Sequence, residues 1–260
     1  MRALEEYTVE NKTTRVLIFD TAEEIAEFAA DAVTYAIRRK PHLALGLATG
    51  SSPVPLYRKL IEKHRAGEVS FARVKTYNLD EYWLMDPASP LSFRGFMREN
   101  LFDHIDLPEA SVHIPAGDAP DGEAEAVRYE AELAELGGVD IQILGIGSDG
   151  HIGFNEPGER FVYGTHVTAL TEQTRRDNAR FFNSVDEVPT HAITMGAGDI
   201  MRAKKCLLIA TGKNKAEAIR KALLEDPTPA CQASILQFHP NAVFLLDREA
   251  AGELEMKTEN

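Results

Sequence analysis

The run Val139-Asp140-Ile141-Gln142-Ile143-Leu144-Gly145-Ile146-Gly147-Ser148-Asp149-Gly150-His151-Ile152-Gly153-Phe154-Asn155-Glu156-Pro157-Gly158 decides how this chain folds. Val139 to Leu144 is short and largely apolar, the mark of a buried strand. Gly145 and Gly147 then end the strand and let the backbone turn tightly or approach a ligand closely. Three groups able to move protons, Asp149, His151 and Glu156, follow at once. In an open α/β sheet, a glycine-rich strand exit is where the ligand crevice lies. Taken singly, Asp149 reads equally as a turn cap and His151 as a structural histidine. Packing does not call for an Asp, a His and a Glu at one turn, so the combination marks a candidate catalytic loop.

Outward from that loop, strands and helices alternate. Arg15 to Phe19 reads as a first strand. Thr21 with Glu24 makes a capping box for a helix to about Arg39. Strands are expected at His42 to Leu47, Val74 to Asn78, Ala192 to Met195, Cys206 to Ala210 and Ala242 to Leu246. Helices are expected at Pro53 to His64, Ser92 to Phe102 (ending before Asp103-His104), Glu123 to Leu136, Glu172 to Phe182 and Lys213 to Leu224. Gly137-Gly138 closes the helix before the central strand, Pro108 to Pro120 reads as irregular, and Phe161 to Thr171 stays ambiguous. The tail Glu253 to Asn260 is polar and expected to fray. The alternation implies parallel βαβ units with right-handed crossovers. The fold class is therefore α/β: a doubly wound, mostly parallel sheet with helices on both faces, Rossmann-like. No linker or internal repeat interrupts the 260 residues, so one domain over 1–260 is expected.

Composition narrows the partners. Lys plus Arg number 28 and Asp plus Glu 41, a net charge of −13. Phosphate-backbone binding needs a basic surface, so nucleic acid is excluded as a partner. No apolar stretch approaches the ~18 residues that span a bilayer, and Met1 to Glu6 is mixed and charged, unlike a signal segment. The two cysteines, Cys206 and Cys231, suit a reducing compartment, so the expected location is the cytoplasm.

The strand-exit loops at Thr49, Asp80, Asp149 and Thr211 should meet along one edge of the sheet. Thr49-Gly50-Ser51-Ser52 precedes a helix opened by Pro53. Exposed amides, two hydroxyls and the helix dipole there make a phosphate cradle, or simply an ordinary helix start. It lacks the Lys of a Walker A loop. Lys213 and Lys215 open another helix against its dipole, a cost that a bound anion would remove. Arg175, Arg176 and Arg180 share one helix, where one of them could reach the same anion. Asn78-Leu79-Asp80-Glu81-Tyr82 sets two carboxylates at a strand exit. Alternation lets one face the crevice, while capping of the next element is the other use for either.

Five stretches together closely resemble the glucosamine-6-phosphate deaminase (glucosamine-6-phosphate isomerase) family. They are Gly46 to Pro53, Asn78 to Tyr82, Gly147 to Pro157, Asn178 to Phe182 and Gly212 to Ala216, and the resemblance runs from about Leu45 to Pro240. It implies conversion of glucosamine 6-phosphate and water to fructose 6-phosphate and ammonia, with no cofactor and no metal. It further implies Asp80 as the base between the first two sugar carbons, and His151 as the ring-opening group held by Asp149 and Glu156. The phosphate would be held by Ser51, Ser52, Arg180 and Lys215, with Thr49 and Gly50 supplying the turn and its amides. A carboxylate of ordinary pKa, ~3.9, is a poor base for a carbon acid; burial beside Glu81 would raise it.

Allosteric members of that family carry a Ser and a basic pair after Asn-Glu-Pro, at a subunit interface that binds N-acetylglucosamine 6-phosphate. Here Glu159, His166 and Thr168 stand in those places, so this activation is expected to be lost. A homo-oligomer stays open, and the family's hexamer is not expected. A 6-phosphogluconolactonase shares a Gly-x-Asp-Gly-His core, but Ile152 to Pro157 does not continue as lactonases do. A galactosamine-6-phosphate deaminase is not separated by sequence. A sugar-phosphate-sensing regulator would need a DNA-binding module, and the residues before Arg15 are too few for one. A metal hydrolase using Asp80, Asp149, His151 and Glu156 has no recognised ligand spacing.

Overall fold

Successive residues of the central strands point into two different apolar cores. Leu17, Leu45, Ile143, Leu207 and Leu245 pack on one side, and Val16, Leu144, Leu208 and Phe244 on the other. Near-continuous apolar runs of this kind belong to a parallel sheet covered on both faces. The structure, a computed structural model, describes residues 5–8 and 14–254. The elements of the main sheet are β1 (Glu5–Thr8), β2 (Arg15–Phe19), β3 (Ala44–Leu47), β4 (Lys75–Asn78), β6 (Val112–His113), β7 (Ile141–Leu144), β10 (Cys206–Ala210) and β11 (Ala242–Asp247). They lie in the order β1-β2-β11-β10-β7-β3-β4-β6, with β1 antiparallel to β2 and every other pairing parallel.

Helices α1 (Ala22–Arg39), α2 (Val54–Arg65) and α3 (Phe93–Asn100) cover one face. Helices α4 (Gly122–Leu136), α6 (Ala197–Met201) and α7 (Ala216–Leu224) cover the other. The expected doubly wound α/β fold is the one observed. Thr21 and Glu24 form the reciprocal capping box of α1, and Gly137 closes α4 in the left-handed region at φ 73°. From β3 the chain winds outward to β4 and β6; from β7 it winds the opposite way to β10 and β11. The order therefore reverses between β3 and β7, and the crevice forms outside the carboxyl ends of those strands.

The main departure from the sequence reading is a second sheet. β5 (Asp80–Tyr82), β9 (His191–Thr194) and β8 (His166–Ala169) form an antiparallel sheet in the order β5-β9-β8. Leu79 is the join. Its N–H donates to Leu47 in the main sheet, while its C=O accepts from Met195 beside the small one. The ambiguous stretch around residue 168 is therefore a strand, and Ala192 to Thr194 belongs to the small sheet rather than the parallel one. The helix expected to stop before Asp103 ends at Asn100 and continues as a 3-10 turn, Phe102–His104. Helix α5 (Glu172–Asn178) likewise runs on as a 3-10 turn, Ala179–Phe181. The stretch expected to be irregular holds a short turn and β6, and α6 was not anticipated. Positions 1–4, 9–13 and 255–260 lie outside the described residues. They take with them most of what was expected of the N-terminal segment and of the tail. Among the described residues, no helix is long and apolar enough to cross a membrane.

Candidate active site

Four loops meet at the point where the strand order reverses. After β3, Gly50 at φ 88° turns the chain toward α2, whose N-cap makes no side-chain hydrogen bond. The first amides of that helix are left without a side-chain acceptor, as at an anion seat. A Cβ placed on Gly145, at the exit of β7, would stand 3.7 Å from Oγ of Ser52. The two loops thus run side by side. Ser51 and Ser52 also share the wall of a small cavity with Thr211, which brings in the loop after β10. Thr49 and Gly50 lie half-buried between them.

In that third loop, Gly212 turns at φ 87° and its N–H donates to the Asp247 carboxylate. Lys213 faces solvent, whereas Lys215 is half-buried. Burial lowers the Lys215 pKa, Asp149 and Asp177 draw it back up, and Arg180 adds a further push downward. Lys215 thus lies within electrostatic range of both Asp149 and Arg180. Of the three arginines, Arg175 is spent on the carbonyls of Val185 and Val188 and Arg176 on Glu172. Arg180 is exposed and stacks 4.7 Å over the Phe181 ring.

The two carboxylates of β5 divide their work. Glu81 caps α3: one oxygen accepts from the N–H groups of Tyr82 at 2.8 Å and Phe93 at 2.9 Å, the other from Arg94 at 3.0 Å. Burial raises its pKa, partly offset by those three amides. Asp80 is 5% exposed, and its Cα partner across the small sheet is Thr194. Burial, then the neighbouring charge of Glu81, lift the Asp80 pKa to about 8, with His151 pulling the other way. The buried phenols of Tyr57, Tyr82 and Tyr129 all feel the Asp80 charge. The Asp80 carboxyl group therefore holds a proton more tightly than an ordinary carboxyl group does.

The glycine loop carries the imidazole. A Cβ on Gly147 would overlap the His151 ring and the Asp149 carboxylate, so only glycine fits. Asp149 Oδ1 accepts from the His151 backbone N–H at 3.1 Å and stands 2.8 Å from Nδ1. The second contact is close but off the line of a hydrogen bond, which leaves Nδ1 without a well-directed partner. Glu156 Oε2 lies 3.9 Å from the same nitrogen. Burial alone would lower the His151 pKa, but Asp149 and then Glu156 raise it above the ordinary value. Burial would raise Asp149, yet the His151 contact holds it at about 2. The result is an Asp149 held well below the usual carboxylate range beside an imidazole of raised pKa.

Asp80 faces this loop. Oδ2 would be 3.3 Å from a Cβ on Gly153, two residues from His151. Phe154 N–H donates to Thr194 Oγ1 at 3.1 Å and Asn155 Nδ2 to the Met195 carbonyl at 2.8 Å, so the loop is stitched to β9. Asp80, Asp149, His151 and Glu156 come together around this loop, with Lys215 within range of the Asp149 charge, whereas Lys213, Arg175 and Arg176 are turned to solvent or to other partners. Asp149, His151 and Glu156 place possible metal-ligand atoms within 4.8 Å of one another, a grouping their spacing had not suggested; Asp80 stands outside it.

Glu159, His166 and Thr168 do come together, with Asn155, Glu156 and Gln232, around a cavity of about 470 Å³. Sequence reasoning missed Thr174 and Thr194, which hold Glu156 and Phe154. The only signal was a Thr171-x-x-Thr174 cap pattern.

The sequence model of the family described as glucosamine-6-phosphate isomerases/6-phosphogluconolactonase matches residues 19–243. A glucosamine-6-phosphate deaminase of Thermoanaerobacter pseudethanolicus is 49% identical over 91% of this chain and 94% of its own. The solved structure of a monomeric glucosamine-6-phosphate deaminase is 46% identical, with a TM-score of 0.89 over 92% of this chain and 99% of that one. The 6-phosphogluconolactonase of Trypanosoma brucei, 24% identical with a TM-score of 0.74 over 92% of this chain and 98% of that one, shares the fold.

Proposed function

The chain belongs to the glucosamine-6-phosphate isomerase/6-phosphogluconolactonase family, and from that premise we propose that it converts glucosamine 6-phosphate and water to fructose 6-phosphate and ammonia. The observation that carries the reading is the shared crevice. A buried Asp80 of raised pKa looks across Gly153 at the loop of His151. Lys215 lies within electrostatic range of both Asp149 and Arg180.

The sugar phosphate docks first. Its dianion is held by Lys215, Arg180, the hydroxyls of Ser51 and Ser52 and the amides of the Thr49-Gly50 turn. Energy from this remote contact positions the reacting carbons. His151, oriented by Asp149 and Glu156, takes the proton from the ring hydroxyl at C1 and returns it to the ring oxygen, which opens the pyranose. Asp80 then removes the C2 proton, made acidic by the adjacent aldehyde and the ammonium on C2. The same carboxyl delivers a proton to C1. In the same rearrangement one ammonium proton passes to O1, so the aldehyde becomes a hydroxymethyl group and the C2 nitrogen an iminium; water adds to that carbon and ammonia leaves, giving the ketose.

No cofactor is needed for these steps, and the amino-sugar phosphate is the partner proposed. Two free, buried cysteines fit a cytoplasmic enzyme. We further propose that the chain acts without N-acetylglucosamine 6-phosphate activation and as a monomer. The acidic Glu159 beside His166 and Thr168 supports the first, and the monomeric relative supports the second. One assay tests the main reading. Ammonia release is compared for glucosamine 6-phosphate, galactosamine 6-phosphate and N-acetylglucosamine 6-phosphate, with lactone hydrolysis as control. Glucosamine 6-phosphate should be the fastest by far; lactone hydrolysis without ammonia release overturns the reading. Light scattering of the purified protein reads the assembly.

A further inference from the structure

Glu156 is held from behind by a helix. Helix α5 begins on Thr171, whose hydroxyl accepts the Thr174 N–H at 3.1 Å and donates to the Thr174 hydroxyl at 3.1 Å. Thr174 is 4% exposed. Its hydroxyl in turn donates to Glu156 Oε1 at 2.5 Å, with Thr171 Oγ1 at 3.5 Å from the same oxygen. A carboxylate can only accept, so the direction of these bonds is fixed. The second carboxylate oxygen, Oε2, is buried and has no hydrogen-bond partner. It points to the His151 Nδ1 side, 3.9 Å away. One oxygen is thus clamped by α5 and the other is left for the imidazole.

The same helix leads directly into the turn that holds Arg180. That turn ends at Phe182, whose ring packs edge-on against Tyr82 at 5.8 Å, two residues beyond Asp80. The chain that carries Arg180 is thus continuous with the helix whose first turn holds Glu156. We propose that Thr174 is a positioning residue: its hydroxyl keeps the Glu156 carboxylate in register with the His151 imidazole, and makes that register depend on the seating of the Arg180 helix. The inference rests on the proposed role of His151 in ring opening. It goes beyond that role by linking the anion end of the crevice to the proton-handling end.

The charged groups facing the ring are Asp149 on its own loop, Glu156, Lys215 at the entrance to α7 and Asp80 from β5. Only Glu156 touches α5. Thr174→Val removes the hydroxyl and keeps the shape; Thr174→Ser keeps the hydroxyl. With valine, kcat should fall about tenfold to a hundredfold while KM changes little, the size expected of a misplaced catalytic group. The His151 titration, followed by NMR in ligand-free protein, should move down by roughly half a unit or more, a part of the ~1–3 units that a charge within ~4–6 Å contributes. Serine should restore both. Glu156→Gln, which removes the charge itself, should lower the midpoint as valine does, and Thr174→Ala serves if valine crowds the site. Added inorganic phosphate should raise the wild-type midpoint more than that of the valine variant.

An unchanged midpoint with valine overturns the proposal. So does an activity loss that serine fails to rescue, or a phosphate response equal in both proteins. The titration needs no turnover, so absence of ammonia release from the wild type would defeat the functional reading alone.

Discussion

The Asp80 carboxylate packs against Gly153 so closely that a Cβ on the glycine would stand 3.3 Å from Oδ2. The same Cβ would be 3.0 Å from Thr194 Oγ1, and the backbone there holds φ 58°. Gly153→Ala therefore pushes on the proposed base and strains the turn at once. Strain of this kind costs about 1–3 kcal/mol. The expected outcome is a kcat loss larger than the fall in stability explains, measured by steady-state kinetics beside thermal denaturation.

Asp80→Asn keeps the shape and removes the base. Turnover should fall by about 10²–10⁴-fold, the range of a lost general base, with substrate binding nearly intact. Stability should move the other way. Asp80 titrates at about 8 in the folded chain, far above the unfolded value. The folded state thus holds a proton that the unfolded chain gives up near pH ~4, and stability drains away as pH rises toward 8. At pH 8 to 9 the Asn variant should melt higher than wild type, by about 2–4 °C for each kcal/mol recovered. Calorimetry across that range checks the sign; an Asn variant that melts lower at pH 9 refutes it.

Glu81→Gln tests how the base is tuned. After burial, the charge of Glu81 is the next cause that lifts Asp80. Without it, the Asp80 pKa drops, and the rising limb of the kcat/KM profile should shift to lower pH. Because Glu81 also caps α3 through Phe93 and Arg94, the variant should lose roughly 1–2 kcal/mol of stability. A pH profile that stays in place would remove Glu81 from the tuning.

Lys215→Met and Arg180→Ala address the anion seat. Each should raise KM for the sugar phosphate about 10–100-fold, the value of a charge-assisted hydrogen bond of ~1.5–3 kcal/mol. Neither should lower the activity measured with unphosphorylated glucosamine at high concentration, which lacks the group they would hold. Equal effects on both substrates would place these cations elsewhere in the mechanism.

Asp149, His151 and Glu156 are close enough to hold a metal, yet the proposed steps use none. Prolonged chelation should leave turnover unchanged, and metal analysis of active protein should find less than a stoichiometric amount. Activity lost on chelation and regained with a divalent cation would recast His151 as a ligand.

Much of the molecule could be read from its sequence because buried parallel strands announce themselves. Cys206 to Ala210 and Ala242 to Leu246 are unbroken apolar runs, and Thr21 with Glu24 signals a helix start that depends on four residues alone. The small sheet sends no such signal. β5 has three residues, and β8, His166–Ala169, is only half-buried, so neither is long enough to show a period of two. Its existence depends on pairing Asp80 with Thr194, far apart in the chain. The candidate site was legible where its residues cluster in one loop or follow one strand. Thr174 was not, because its meaning lies in a contact with Glu156 that only the folded chain brings about.

Leu79 gives its N–H to the main sheet and its C=O to Met195, just beyond β9 of the small one, so a single residue is the seam between the proposed recognition and the proposed reaction. The amides and lysine that would grip an anion are rooted in the broad parallel sheet, while the carboxyl group that would move the carbon-bound proton is rooted in three short strands. Mild denaturant should loosen the smaller assembly first. The protein would then still hold its ligand while having lost the means to transform it.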